Sequence, residues 1–105
     1  MTKWRRFEVM FPLRFNDGRI VPKAWLTNAA REIRSQFGAV SYETQKIEGH
    51  WQHAGVTYQE EQVRMFVDVP DVPKNRVWMR KFKAKWKKKL KQLEIWMVSY
   101  RIEIE

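Results

Sequence analysis

The amino-acid sequence predicts an α+β fold in which a four-stranded antiparallel sheet carries two helices on one face. Two observations lead to this prediction. Hydrophobic residues recur at every second position in four separate stretches, which is typical of strands with one buried face. In two other stretches they recur at spacings of three and four, which is typical of amphipathic helices. The six stretches follow one another in the order βαββαβ.

The first strand and the first helix are each marked by local signals. Apolar residues occupy alternate positions over residues 7–15, and Asn16-Asp17-Gly18 then supplies turn chemistry. Pro22 suits the first turn of a helix, where its missing N–H is not needed, and Gly38 suits the left-handed residue that follows a helix. Between them one apolar stripe keeps three- and four-residue spacing: Leu26, Ala29, Ala30, Ile33 and Phe37.

The middle of the chain has the pattern of a β-hairpin. Apolar and aromatic residues keep one parity over residues 40–44 and the other over residues 47–51, which predicts a bulge or bend near residues 45–46. His53-Ala54-Gly55 suits the tip of the hairpin. Alternation over residues 63–69 then predicts a central strand.

The second helix is predicted to begin after Pro70-Asp71-Val72-Pro73, which breaks the sheet, and Asp71 suits a helix N-terminus. Residues 96–104 alternate again, which predicts a last strand whose even-numbered residues face the helices. The helix has a narrow stripe that we expect to be buried, within about 60° on a wheel of 3.6 residues per turn. Its members are Met79, Phe82, Trp86, Leu90 and Leu93.

Two strand–helix–strand units with right-handed crossovers build a ferredoxin-like βαββαβ sandwich, with the first and third strands central. We expect it to fill residues 1–105 as one domain, because 105 residues leave no room for two cores. The chain has Gly49-His50-Trp51 in its hairpin and a long charged helix before its last strand. This order of features resembles a family of small uncharacterised bacterial proteins with a ferredoxin-like fold. The resemblance implies the fold and no activity.

Composition narrows the class of protein. Hydrophobic residues make up 44% of the chain, with six Trp, six Phe and three Tyr, so a packed core is expected rather than disorder. Cysteine is absent, which excludes disulfides and thiolate metal sites. No apolar run approaches the roughly 18 residues of a spanning helix, and the N-terminus lacks a signal-peptide pattern. We expect a cytoplasmic protein with no cofactor and no membrane partner.

Positive charge is concentrated in the second predicted helix. Residues 74–91 hold ten of the 21 basic residues and no acidic residue, whereas the other 87 residues hold 11 basic and 12 acidic ones. A concentrated positive field attracts polyanions such as nucleic acid. We therefore predict a non-enzymatic binding module that contacts the phosphates of DNA or RNA. The residues expected to make these contacts are Arg76, Arg80, Lys81, Lys83, Lys85, Lys87, Lys88, Lys89 and Lys91.

The uncovered face of the predicted sheet is the second candidate surface. Apolar side chains among charges there predict a homodimer or a partner subunit. The predicted interface residues are Met10, Phe66, Ile95 and Met97. Two other functions stay open: an accessory subunit whose basic helix docks an acidic protein, and a small dimeric α+β barrel enzyme with His50 or His53 as its base. We predict no catalytic residue and no metal ligand, because the sequence holds no motif for either.

Overall fold

The structure is a computed structural model that describes residues 2–105. The strands are β1 (Trp4–Pro12), β2 (Ser41–Tyr42), β3 (Ile47–His53), β4 (Val56–Pro70) and β5 (Met97–Ile102), and the helices are α1 (Lys23–Phe37) and α2 (Pro73–Lys89). Over residues 2–105, no helix has both the length and the apolar character needed to cross a membrane.

The strands form one antiparallel sheet in the order β2-β4-β1-β5, and β3 also pairs with β4. β1 and β4 are therefore central, and the predicted ferredoxin-like fold is confirmed. β2 and β3 are two parts of the predicted second strand. Tyr42 pairs with Met65 and Ile47 pairs with Gln62, so four residues of one strand lie opposite two of the other. The predicted bulge at residues 45–46 lies at this interruption and is confirmed.

The core lies between the sheet and the two helices. Successive strand residues point to opposite faces, so alternate residues of β1 and β4 contact the helices. α1 ends as predicted, because Gly38 has a φ of 86° and donates its N–H to the carbonyl of Arg34 at 2.7 Å. The buried hydrophobic residues that the two helices contribute are Ala29, Ala30 and Ile33 from α1, and Met79, Phe82 and Trp86 from α2.

The stripe predicted for α2 is confirmed except at its last member. Its first four residues are buried, but Leu93 is 49% exposed. α2 ends at Lys89, and Lys91 has a left-handed φ of 55°. Leu93 therefore lies beyond the helix, where helical spacing no longer holds. Its predicted burial is wrong because the lysine run contains neither glycine nor proline to signal where the helix stops.

The parity predicted for the last strand is wrong. Met97 pairs with Val9 and Ser99 pairs with Phe7, and paired residues of neighbouring strands share a face. Met97 therefore lies on the helix side and packs against the core, while Ile95, just before β5, is only 2% exposed. Neither lies on the open face of the sheet. Hydrophobic residues occupy both parities here, so only the pairing with β1 distinguishes the two faces.

Candidate functional site

α2 is anchored along one side and presents its cations on the others. The side chains on the anchored side are buried against the core: Met79, Phe82 and Trp86. At its N-terminal end, the side chain of Asn75 donates to the carbonyl of Pro70 at 2.9 Å. Because the buried stripe occupies one side of the helix, the basic residues are confined to the rest of its circumference.

Asp71 precedes α2 and joins its first turn to the sheet. The Asp71 carboxylate is 3% exposed and accepts hydrogen bonds at 3.0 Å from Arg5 of β1, Arg76 of α2 and Arg101 of β5. The hydrogen bond from Arg5, followed by those from Arg101 and Arg76, holds the pKa of Asp71 far below its usual range. Arg76, a predicted phosphate contact, is therefore held in an internal ion pair.

Three lysines among the predicted contacts also have acidic partners. Lys83 and Lys87 lie 3.0 Å and 3.8 Å from the carboxylate of Glu94. The hydrogen bond from Lys83 lowers the pKa of Glu94, so this carboxylate stays ionised at neutral pH. Lys85 forms an ion pair with Glu32 of α1. These pairs reduce the positive field on the two flanks of α2.

Five of the predicted cations keep a charge that no carboxylate compensates: Arg80, Lys81, Lys88, Lys89 and Lys91. All five are exposed. Within the part of the chain that the structure describes, none of them forms an ion pair with a carboxylate. The structure therefore retains a basic surface on α2, but one built from fewer free charges than the sequence predicted.

A groove of about 710 Å³ runs between α1 and α2. Its floor is aromatic. Trp78 stacks on Phe82 with ring centroids 5.6 Å apart, and Trp86 follows at 6.4 Å from Phe82. Lys89 lies over the ring of Trp86 with its Nζ 4.8 Å from the ring centroid. The cations on the α2 side of the groove are Lys81, Lys85 and Lys89.

The open face of the sheet holds a compact network of charges. Phe66 lies between two guanidinium groups, with its ring centroid 4.6 Å from Arg6 and 5.6 Å from Arg64. Arg6 donates to both carboxylate oxygens of Asp68, at 2.7 and 3.0 Å, and Arg64 donates to Glu8 at 3.3 Å. The strand pairing places apolar side chains on this face among the charges: Met10, Phe66, Val98 and Tyr100.

A second groove, of about 720 Å³, lies where the β3–β4 hairpin approaches the residues before β5. Glu60 lines it. One Glu60 carboxylate oxygen accepts from Nε2 of Gln62 at 2.7 Å, while Oε1 is buried without a hydrogen-bond partner among residues 2–105. Trp51, which also lines the groove, stacks on Tyr58 with ring centroids 4.5 Å apart. Further lining residues are Met10, Trp96, His50 and His53.

The two histidines border this groove from opposite faces of β3. His53 shares a face with Trp51, whose ring lies 6.3 Å away, whereas Nε2 of His50 lies 3.7 Å from the carboxylate of Glu48. Over residues 2–105, no three His, Asp or Glu side chains are grouped so that they could hold a metal ion. Sequence reasoning singled out the histidines, with Glu60 or Glu61 across the hairpin from them, and did not distinguish between the two carboxylates. The alternation along β4 was a signal that could have identified Glu60. Glu60 is two residues before Gln62 and shares its face, because the even-numbered residues of this strand face away from the helices.

No protein-family model and no curated protein matches the sequence. Solved structures do match. A phage SAM lyase in complex with S-methyl-5'-thioadenosine is similar with a TM-score of 0.71, over 99% of this chain and 92% of the lyase chain, at 12% identity. CutA from Synechococcus elongatus is similar with a TM-score of 0.62, over 97% of this chain and 79% of the CutA chain, at 8% identity. GlnK from B. subtilis, in complex with ATP, is similar with a TM-score of 0.53, over 97% of this chain and 84% of the GlnK chain, at 12% identity.

These likenesses define the class of fold to which the chain belongs. The chain has the small ferredoxin-like α+β fold of these structures, and each match covers nearly all of it. At identities of 8 to 12%, the likeness shows the fold alone, because one fold carries many unrelated functions. The function has to be argued from the surfaces of this chain.

Proposed function

We propose that this protein is a binding module that contacts nucleic-acid phosphates through α2. The observation that carries the proposal is the set of five exposed cations without acidic partners, four on α2 and one just after it: Arg80, Lys81, Lys88, Lys89 and Lys91. Contact with phosphates releases condensed counterions, which drives binding. Ammonium groups on a helix surface recognise the charged backbone rather than base edges, so the proposed binding is independent of sequence.

The proposal is tested by removing charge from α2. Lys81→Gln combined with Lys88→Gln keeps two long, helix-favouring side chains and removes two cations. Affinity for oligonucleotides should fall alike for all sequences. The slope of log K against log salt should flatten by about 0.9 per lost contact on duplex DNA, or about 0.7 on a single strand. Fluorescence anisotropy over a salt series measures both quantities.

The matched control removes the same charge away from α2, by Lys3→Gln combined with Lys23→Gln, at two exposed lysines before β1 and at the start of α1. Equal losses in the two variants would mean that net charge alone drives binding, and the proposal would be wrong. If instead nuclease-treated protein retains an acidic protein partner and binds no nucleic acid, the accessory-subunit alternative replaces it. A pull-down with and without nuclease distinguishes these outcomes.

A second candidate function is the binding of a small nucleoside-like ligand in the groove beside the β3–β4 hairpin. The observation that favours it is Glu60, because a buried carboxylate oxygen without a partner is costly. Carboxylates accept hydrogen bonds from ribose hydroxyls, and an aromatic ring such as that of Trp51 stacks on a base. S-methyl-5'-thioadenosine, bound to the phage SAM lyase of similar fold, carries both a ribose and a base.

Calorimetric titration with S-methyl-5'-thioadenosine tests this candidate. Glu60→Gln should weaken binding about tenfold or more, since a hydrogen bond to a charged acceptor is stronger than one to an amide. The matched control is Glu61→Gln, at the next residue of β4, where the carboxylate pairs with Lys46 at 2.9 Å on the other face. Equal losses in both variants, or no binding by the wild type, would remove the candidate.

We also propose that the open face of the sheet joins a second copy of the chain or a partner subunit. What supports this is the apolar character of that face. Val98 and Tyr100 are 37% and 43% exposed on this face, which also carries Met10 and Phe66 among its charges. Exposed apolar side chains grouped on one face are typical of an association site.

A further inference from the structure

We infer that the nucleic acid contacted by α2 is single-stranded and lies in the groove between α1 and α2. This inference rests on the proposed function, since it requires contact with phosphates, and it adds the class of nucleic acid. It is carried by the aromatic floor of the groove and by the cations along its edge.

Three aromatic rings line the groove, those of Trp78, Phe82 and Trp86, and they belong to a longer series of packed rings. Phe37 packs edge-on against Trp78 at 5.1 Å, Trp78 stacks on Phe82 at 5.6 Å, and Trp86 lies 6.4 Å from both Phe82 and Trp25. Of the three lining rings, Phe82 and Trp86 are buried, whereas Trp78 is only partly buried, so part of its ring stays accessible in the groove. Aromatic side chains in a basic groove stack on unpaired bases whatever the base, because every base has a π-face.

The cations along the α2 edge have a regular spacing. Lys81, Lys85 and Lys89 are four residues apart, hence about 6 Å apart along the helix axis. Lys89 already places its ammonium within 4.7 and 4.8 Å of the centroids of two of the aromatic rings. On the α1 edge Arg31 adds a further cation, and Glu32 compensates Lys85. A strand in the groove would keep its phosphates beside the cations while a base stacks on the accessible part of the Trp78 ring.

This arrangement favours a single strand over a duplex. The bases of a duplex are stacked on one another and paired, so they offer no free face to the floor of the groove. A single strand offers every base for stacking, and its backbone follows the lysines with the same charge. The groove therefore adds a stacking contribution for single strands that a duplex with the same number of phosphates does not gain.

The test compares labelled oligothymidylate, an abasic strand of equal length and a DNA duplex by fluorescence anisotropy. The wild-type protein should bind oligothymidylate about tenfold more tightly than the abasic strand, although the phosphates are the same. Trp78→Leu removes a ring and keeps an apolar side chain. It should reduce oligothymidylate affinity about tenfold and leave the other two affinities unchanged. The matched control is Trp96→Leu, a ring 67% exposed and outside the groove, which should change none of them.

Each outcome bears on the inference. Equal wild-type affinity for oligothymidylate and the abasic strand, or tighter binding of the duplex, overturns the single-strand inference and leaves the phosphate contacts of α2 standing. Binding to none of the three probes overturns the inference and the proposed function together. The comparison with the abasic strand uses the wild-type protein, so it decides the matter even if Trp78→Leu does not fold.

Discussion

At the scale of single residues, Asp71 shows how one buried carboxylate fixes the position of the basic helix. Its three arginine partners come from β1, α2 and β5. We expect Asp71→Asn to lower the melting temperature by at least about 5 °C, because three guanidinium groups then surround a neutral amide. Thermal unfolding followed by circular dichroism measures the change.

The pH dependence of this contribution follows from the pKa of Asp71. Hydrogen bonds from Arg5, then from Arg101 and Arg76, lower that pKa in the folded protein below its ordinary value of 3.8. The stabilisation is therefore present above about pH 4 and is lost as the pH falls toward the folded-state pKa. Wild-type stability should fall more steeply below pH 4 than that of Asp71→Asn. The same substitution at Asp17, which is 55% exposed, should cost little, and equal losses at both positions would contradict the role given to Asp71.

At the scale of elements, the acidic neighbours of α2 determine how much of its charge is free. Glu94→Gln should release Lys83 and Lys87 for contact with phosphates. Affinity for oligonucleotides should then rise, and the slope of log K against log salt should steepen by the amount that corresponds to at most about two added contacts. The amide oxygen can still accept from the N–H of Ile95, so the fold should persist. Glu48→Gln makes the same change in net charge on β3, where the side chain is 71% exposed. Equal gains in affinity in both variants would show that the ion pairs with Glu94 do not keep Lys83 and Lys87 from contacting phosphates.

The elements could be predicted from the sequence because periodicity and turn residues are local signals. The exposure of the α2 cations could also be predicted from their local spacing, but their acidic partners could not. Glu32, which pairs with Lys85, is 53 residues away, and only the packing of the two helices brings them together. The face of Met97 likewise depends on its pairing with β1 rather than on alternation. Glu60 could not be distinguished from the neighbouring Glu61 because the two make both parities of β4 acidic there.

At the scale of the whole molecule, the basic surface of α2 and the open face proposed for association lie on opposite sides of one sheet. Both helices cover the face that carries the core, and the network around Phe66 lies on the other. Association through the open face would therefore leave α2 accessible. A second copy would double the basic surface and hold two of them in a fixed relation, which increases avidity for one long polyanion without any new contact.

Changing Phe66 to Glu tests the open face. The ring lies between Arg6 and Arg64, so a carboxylate there would have two cationic neighbours, and the chain should stay folded. Association should weaken because a charge replaces the apolar centre of the face. Sedimentation velocity across a concentration series should show a shift to smaller species, while Ile20→Glu, at a side chain 69% exposed and outside the sheet, should sediment like the wild type. If the Phe66 variant unfolds, the residue belongs to the core; if it is folded and sediments unchanged, the open face is not the interface.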